Sequence, residues 1–235
     1  MTKGKIILIP TPLGDINPLT VLAQPAVDVI NSLNYFAVEN LKTARRFLKK
    51  LNRVRNIDTT EFIVLNKKST DQTRLEIIQK LLAGKTIGIL SEAGLPVVAD
   101  PGSDLVLMAH QNRIPVTALA HDSSITTALA CSGLQGQSFT FHGYLSRDDK
   151  ERKKQLQRIE SFIGQNRQTQ IFIETPYRND KIFEAVKAAC RPDTHLCAAG
   201  NLNCPGETII TAQVREWGNI NINKYKKKPT VFLLG

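Results

Sequence analysis

The feature that most constrains this chain is the alternation, through its first half, of short apolar runs with stretches of helical periodicity. The runs fall at 6–9 (Ile-Ile-Leu-Ile), 35–38 (Tyr-Phe-Ala-Val), 62–65 (Phe-Ile-Val-Leu) and 86–90. Each is too short for a helix and suits a strand buried on both faces. Between them, 21–33, 41–51 and 71–83 read as helices, the last with Leu75, Ile78, Leu81 and Leu82 on one face. Pro25 falls in the first turn of the first helix, and Gly84 suits the stop of the third. Strand and helix alternating in this way predicts an α/β fold with a mostly parallel sheet.

The second half changes flavour. Helices are expected over 124–131, 149–163 and 180–190, with strands over 139–141 and 170–173. Beyond His195, strands over 196–199, 208–214 and 231–234 follow with little helix between them, which predicts a mixed sheet with antiparallel members. The pattern changes near 115–121, so the 235 residues divide into two αβα domains, 1–117 and 118–235. The first ten residues hold only a short apolar run closed by Pro10, and no stretch approaches the length of a bilayer span. A cytoplasmic protein is expected, with no membrane partner. Cys131, Cys190, Cys197 and Cys204 form no C-x-x-C pair and read as reduced thiols. Together with His195 they fit no common zinc spacing, so no metal is expected.

Four segments could carry chemistry. The first, Ile9-Pro10-Thr11-Pro12-Leu13-Gly14-Asp15, leaves the first strand as an extended, proline-stiffened loop. It is either a structural turn or a ligand loop at the carboxyl end of a parallel strand. The second runs from Leu90 through Ser91, Glu92, Ala93, Gly94, Pro96, Asp100 and Pro101 to Gly102. Its small residues let a ligand approach the backbone, and it is longer and stiffer than a connection needs. Asp100 or Ser103 could instead cap the helix that follows. The third, His121-Asp122-Ser123-Ser124, reads as an N-cap or as free amides for a carboxylate or an adenine edge. The fourth, Phe172-Ile173-Glu174-Thr175-Pro176-Tyr177-Arg178, sets Glu174 either as a site carboxylate or as a charge at the start of a helix. No P-loop, G-x-G-x-x-G, H-E-x-x-H or G-x-S-x-G is present, which leaves nucleotide hydrolysis, Rossmann dehydrogenation and zinc or serine hydrolysis unsupported.

The formal net charge is +10, and it is clustered. Arg45, Arg46, Lys49, Lys50, Arg53 and Arg55 load one helix and its exit. Arg147, Lys150, Arg152, Lys153, Lys154 and Arg158 load another, and Lys224, Lys226, Lys227 and Lys228 precede the last strand. Single charge runs are usually solvated faces, but three on one chain point to phosphate, with Arg45, Arg46, Lys49, Lys50, Arg152 and Lys153 as the candidate contacts to a polyanion such as RNA.

In this order, the loops resemble those of the ribosomal RNA small-subunit methyltransferase I family, within the tetrapyrrole methylase superfamily. Residues 9–15 resemble V-P-T-P-I-G-N, Val38-Glu39-Asn40 resembles A-E-D, and 91–102 resemble S-D-A-G-T-P-x-x-x-D-P-G. Residues 127–134, 141–145 and 172–178 are similar to T-A-L-x-x-S-G-L, F-x-G-F-L and F-Y-E-S-P-H-R, so the likeness spans nearly the whole chain. The resemblance implies a tetrapyrrole-methylase-like fold, a homodimer, and S-adenosylmethionine in a cleft between the domains. It implies 2′-O-methylation of a ribose in small-subunit ribosomal RNA. By position, cofactor contacts fall on Pro10, Thr11, Pro12 and Gly14; on Ser91, Glu92, Ala93, Gly94 and Pro96; and on Ser123, Ser124, Glu174, Thr175 and Pro176. Some positions depart from the family. P-G-P-S is Ala120-His121-Asp122-Ser123, D-A-G is Glu92-Ala93-Gly94, an aspartate is Asn40, an arginine is Lys42, and R-E-L-T-K is Gly200-Asn201-Leu202-Asn203-Cys204.

Such chemistry asks little of side chains, because a sulfonium already activates its methyl group. The protein aligns the reactants and supplies a base within reach of the acceptor hydroxyl. Glu39, Asp100, Asp122 and Glu174 are candidates, with His121 a further one, and sequence does not choose among them. Three readings stay open: a ribosomal RNA ribose methyltransferase acting on the RNA or the small subunit, a methyltransferase for a small acceptor such as a tetrapyrrole, and a non-catalytic RNA-binding relative.

Overall fold

The computed structural model describes residues 2–120 and 123–235, with backbone only at 165 and 166. The chain falls into two compact units, 1–122 and 123–235, each built on a five-stranded sheet. In the first, β1 (Ile6–Ile9), β2 (Tyr35–Val38), β3 (Glu61–Val64), β4 (Ile87–Leu90) and β5 (Val116–Ala118) alternate with α1 (Gln24–Ser32), α2 (Leu41–Leu51), α3 (Asp71–Leu82) and α4 (Ser103–Gln111). All strand pairs are parallel, in the order β3-β2-β4-β1-β5. β5 was not legible in the sequence: three residues, two of them exposed, carry no apolar run. α1 starts later than its periodicity suggests because Pro18–Thr20 wind as a separate turn, capped by Asn17, whose side chain accepts from the Leu19 N–H at 3.1 Å. α2 starts where it does because Asn40 Oδ1 accepts from the N–H groups of Lys42 and Thr43, at 2.9 and 3.3 Å.

The strand order decides where helices pack. β1 leads by α1 to β2 in one direction, and β4 leads by α4 to β5 in the other. Right-handed crossovers then place α1 and α2 on one face and α3 and α4 on the opposite one. The cores agree: Val27, Ile30 and Leu48 pack with Ile9 and Phe36, whereas Ile77, Leu81 and Leu105 pack with Ile6 and Ile87. Adjacent strands whose connections leave to opposite faces form a topological switch point, and here it lies between the carboxyl ends of β1 and β4.

One member of the first basic cluster belongs to this core. Arg55 is only 8% exposed. Its guanidinium donates to the carbonyls of Ile30 (3.2 Å) and Leu33, its Nε to Thr60 Oγ1 (3.3 Å), and it lies 5.1 Å from the Phe36 ring centroid. It ties the end of α1 to the exit of α2 and presents no charge to solvent.

The second unit holds α5 (Ser124–Ser132), β6 (Phe139–Tyr144), α6 (Asp149–Asn166), β7 (Thr169–Glu174), α7 (Asn179–Ala189), β8 (His195–Gly200), β9 (Thr208–Gln213) and β10 (Thr230–Leu234). Its sheet runs β6-β7-β10-β8-β9, with β6 and β7 parallel and the other pairs antiparallel. This is the mixed sheet expected from the sequence. Phe183 stacks on Trp217 at 5.0 Å and meets Phe232 edge-on at 5.4 Å, anchoring α7 to the sheet. α6 starts on Asp148, whose carboxylate accepts from the Glu151 N–H at 2.9 Å. Arg152, expected to contact RNA, is 4% exposed. It pairs with Asp149 and donates to the carbonyls of Ser146 and Arg147, each at 3.2 Å. Its guanidinium holds the loop before α6, so the expectation that it faces a phosphate gives way to a structural role; Lys153 beside it is exposed.

Candidate functional site

β1 and β4 run in register, Ile9 beside Leu90, so the loops that leave them start side by side. Thr11 and Gly94 join the two loops in an isolated antiparallel bridge: Thr11 N–H donates to Gly94 O at 2.9 Å and Gly94 N–H to Thr11 O at 3.0 Å. Thr11 Oγ1 also reaches Ser91 O at 3.5 Å, and Ser91 Oγ donates to Ala93 O at 3.3 Å. Thr11, Ser91, Gly94 and Pro96 are buried, while Glu92 and Ala93 are exposed. Gly94 has φ +77°, and a Cβ there would stand 3.3 Å from Leu13 Cδ2. Further along, Val97 (φ 76°) and Ala99 (φ 64°) hold left-handed conformations without being glycine. Each costs about 1–2 kcal/mol, most for a β-branched residue, and such strain gathers at functional segments.

Neither Asp100 nor Ser103 caps α4: the N-cap position is Gly102, and no side chain bonds the free amides. Asp100 instead lies near Glu39, Ser91 and Glu92. Glu39, at the carboxyl end of β2, accepts from the Glu92 N–H through Oε2 at 3.4 Å. Burial pushes the Glu39 carboxyl above its ordinary range, and the charge of Asp100 adds to it. Burial likewise raises Asp100, opposed by the nearby Ser91 hydroxyl and by the charge of Lys67. Glu39, Glu92 and Asp100 thus form an acidic margin along the Ser91–Glu92 segment. Lys67, the countercharge on the half-buried Glu39 and Asp100, was not singled out from the sequence, because one lysine in a loop carries no local signal.

That segment also lines a pocket of about 250 Å³, with Thr11, Pro12, Gly14, Arg46, Phe47, Lys50, Ser91 and Glu92 in its walls. Its rim carries an ion pair, Lys50 Nζ to Asp15 Oδ1 at 2.8 Å. The hydrogen bond and charge of Lys50 hold the Asp15 carboxyl below the usual carboxylate range. Of the basic residues on α2, Arg46 and Lys50 reach this pocket. Arg45 lies over the Phe62 ring at 5.5 Å, and Lys49 Nζ donates to the carbonyl of Arg55 at 2.6 Å. A second pocket, of about 340 Å³, lies beyond β3 among Asn66, Lys67, Asp100 and Ser103.

In the second unit, Ser123 holds the N-cap position of α5 without a side-chain cap bond, and Ser124 begins the helix. Glu174 is 5% exposed. Its Oε1 accepts from Thr175 N–H (2.7 Å) and Oγ1 (3.1 Å), and its Oε2 pairs with Arg178 at 3.4 Å. The carboxylate therefore shapes the turn that contains Thr175 and Pro176. Asp122 and His121 lie outside the described residues. Among the described residues, no three His, Cys, Asp or Glu side chains are grouped to hold a metal ion, and no helix is long and apolar enough to cross a membrane.

Comparison with known proteins places these loops in context. The family model for Tetrapyrrole (Corrin/Porphyrin) Methylases matches residues 5–217. A protein of Vibrio cholerae named Ribosomal RNA small subunit methyltransferase I is 34% identical over 171 residues, which is 73% of this chain and 55% of that protein. The Bacillus subtilis protein of the same name is 30% identical over 219 residues, 92% of this chain and 70% of its own. This chain thus spans little more than half the length of the first relative. Among solved structures, uroporphyrin-III C-methyl transferase from Thermus thermophilus, complexed with S-adenyl homocysteine, aligns with TM-score 0.57 at 15% identity, covering 99% of this chain and 97% of that one. Diphthine synthase aligns with TM-score 0.64 at 12% identity, covering 97% and 88%. At such identities the structures share the fold.

Proposed function

This chain belongs to the tetrapyrrole (corrin/porphyrin) methylase family, and from that premise we propose that it is an S-adenosylmethionine-dependent methyltransferase that 2′-O-methylates a ribose in small-subunit ribosomal RNA. The observation that carries the reading is the Thr11–Gly94 bridge, which locks two stiff loops together at the switch point of a parallel sheet. The relatives named for ribosomal RNA methylation favour that acceptor, and so do Arg46 and Lys50 beside the loops. A cytoplasmic homodimer working beside the ribosome completes the proposal.

The residues present fit the cofactor. The exposed backbone at Ala93 lies next to an acidic margin of Glu39, Glu92 and Asp100, suited to a molecule that carries a sulfonium and an ammonium. When bound, S-adenosylmethionine supplies an activated methyl group. Pro10, Thr11, Pro12 and Gly14 on one loop and Ser91, Glu92, Ala93, Gly94 and Pro96 on the other are the proposed contacts. Ser123, Ser124, Glu174, Thr175 and Pro176 are proposed on the resemblance alone. The protein's own work is to orient the acceptor hydroxyl and take its proton. Glu39 and Asp100 suit the second task better than Glu174, whose Oε1 accepts twice from Thr175 and whose Oε2 carries the charge of an ion pair with Arg178.

The test is a map of 2′-O-methyl positions in ribosomal RNA from a strain lacking the gene, set beside its parent, with calorimetric titration of the protein by S-adenosylmethionine. Loss of one methyl mark together with cofactor binding is the expected result. An unchanged map with cofactor binding retained would point to a small acceptor, and no binding to a non-catalytic relative.

A further inference from the structure

The pocket of about 250 Å³ is lined by Arg46 and Lys50 but by neither Glu39 nor Asp100, and this divides the site. Among the described residues its lining carries two cations, Arg46 and Lys50, and two acids, Asp15 and Glu92, with Asp15 paired to Lys50. A sulfonium and an ammonium favour Glu39 and Asp100, and a phosphodiester favours Arg46 and Lys50. Resting on the methyltransferase reading above, we propose that this pocket receives one unstacked nucleotide of the RNA acceptor, and that the acceptor's phosphate displaces Asp15 from Lys50.

Size supports the assignment. The pocket lies just below the range of about 300–1,000 Å³ filled by drug-sized ligands, the scale of the base and sugar of one nucleotide. Its walls are those a nucleotide needs. Pro18 and Phe47 give apolar surface for a base, and Thr43 gives a polar group. Single-stranded RNA is read in this way, with bases splayed into pockets and phosphates held by cations. The Lys50–Asp15 pair sits on the rim, with side chains 38% and 85% exposed, so it can open without unfolding anything. While Asp15 holds Lys50, the rim is partly neutralised; a phosphate that replaces the carboxylate gains two cations at once. Asp15 therefore competes with the phosphate for Lys50.

The proposal is tested by binding of a short, fluorescein-labelled single-stranded RNA, followed by anisotropy as a function of salt. Titration by S-adenosylhomocysteine in a calorimeter is the second readout. Arg46→Ala with Lys50→Ala should weaken RNA binding by about tenfold and lower the salt slope by about 0.7, for the one phosphate that both cations hold on a single strand. Asp15→Asn should do the reverse, tightening RNA several-fold by freeing Lys50. Cofactor affinity should stay unchanged in both variants. All three side chains lie on the surface, and a thermal melt checks that each variant is folded. RNA affinity that ignores these substitutions would overturn the proposal, and so would a loss of cofactor binding in the Arg46/Lys50 variant, which would give the pocket to the cofactor. Wild-type protein that binds RNA in the predicted manner but no S-adenosylhomocysteine would leave the nucleotide pocket standing and sink the methyltransferase reading instead. Protein that binds neither would sink both.

Discussion

Thr11 and Gly94 face each other as an antiparallel bridge although the strands they leave, β1 and β4, are parallel neighbours. For that to happen, the second loop must turn back on itself within four residues of Leu90, which places Gly94 at φ +77°. The bridge then carries the outer parts of both loops, including the exposed Ala93 and Glu92.

Replacing Gly94 tests that link. Gly94→Ala adds a Cβ in the left-handed region and 3.3 Å from Leu13 Cδ2. We expect a loss of about 1–2 kcal/mol, seen as a fall of about 2–8 °C in the melting temperature. S-adenosylmethionine should bind more weakly in the same variant. A variant that keeps wild-type cofactor affinity would separate the bridge from the site.

Glu39 and Asp100 give stability a pH dependence whose sign can be worked out. Both carboxyls are raised above their ordinary values, mainly by burial. The folded state then holds protons more tightly than the unfolded chain. The contribution is fully present below the ordinary carboxylate range and is lost as pH rises through the raised folded values. Glu39→Gln removes a buried like-charge neighbour of Asp100. It should raise the melting temperature at neutral pH and flatten its fall between mildly acidic and neutral pH. Melts across that interval, wild type against variant, decide it; a parallel pair of curves would show that Glu39 does not titrate there.

The buried arginines should behave as structural residues. Arg55→Ala leaves the Leu33 carbonyl without its arginine donor and removes one of two donors from the Ile30 carbonyl, and Arg152→Ala takes its donor from the carbonyls of Ser146 and Arg147. Unsatisfied buried groups cost about 1–3 kcal/mol, so urea midpoints should fall in both variants. Lys153→Ala, on the exposed side of α6, should leave the midpoint unchanged. An RNA salt slope that drops in folded Arg55→Ala would contradict this assignment.

Thiol reactivity should follow burial. Burial pushes Cys190 up to about 12 and Cys197 up to about 11, whereas Cys131 is exposed. Iodoacetamide at mildly alkaline pH, followed by mass spectrometry, should label Cys131 in the folded protein and reach Cys190 and Cys197 only on unfolding, because the thiolate is the nucleophile. Early labelling of Cys197 would show that β8 opens.

What the chain determined by itself was local. The positions of β1, β2, β4 and α2, the mixed character of the second sheet and the two stiff loops follow from periodicity and from proline and glycine, whose effects reach only a few residues. Three things were decided by tertiary structure. The order β3-β2-β4-β1-β5 brings residues 10–15 and 91–102 together from far apart in the chain, since which strands become neighbours depends on how all the helices cover the sheet. The same packing draws Arg55 and Arg152 inward while leaving Arg46 and Lys50 at the pocket, a division invisible in a run of like charges. It also holds Val97 and Ala99 in left-handed conformations that their own side chains disfavour, because a backbone can be kept strained only by the structure packed around it.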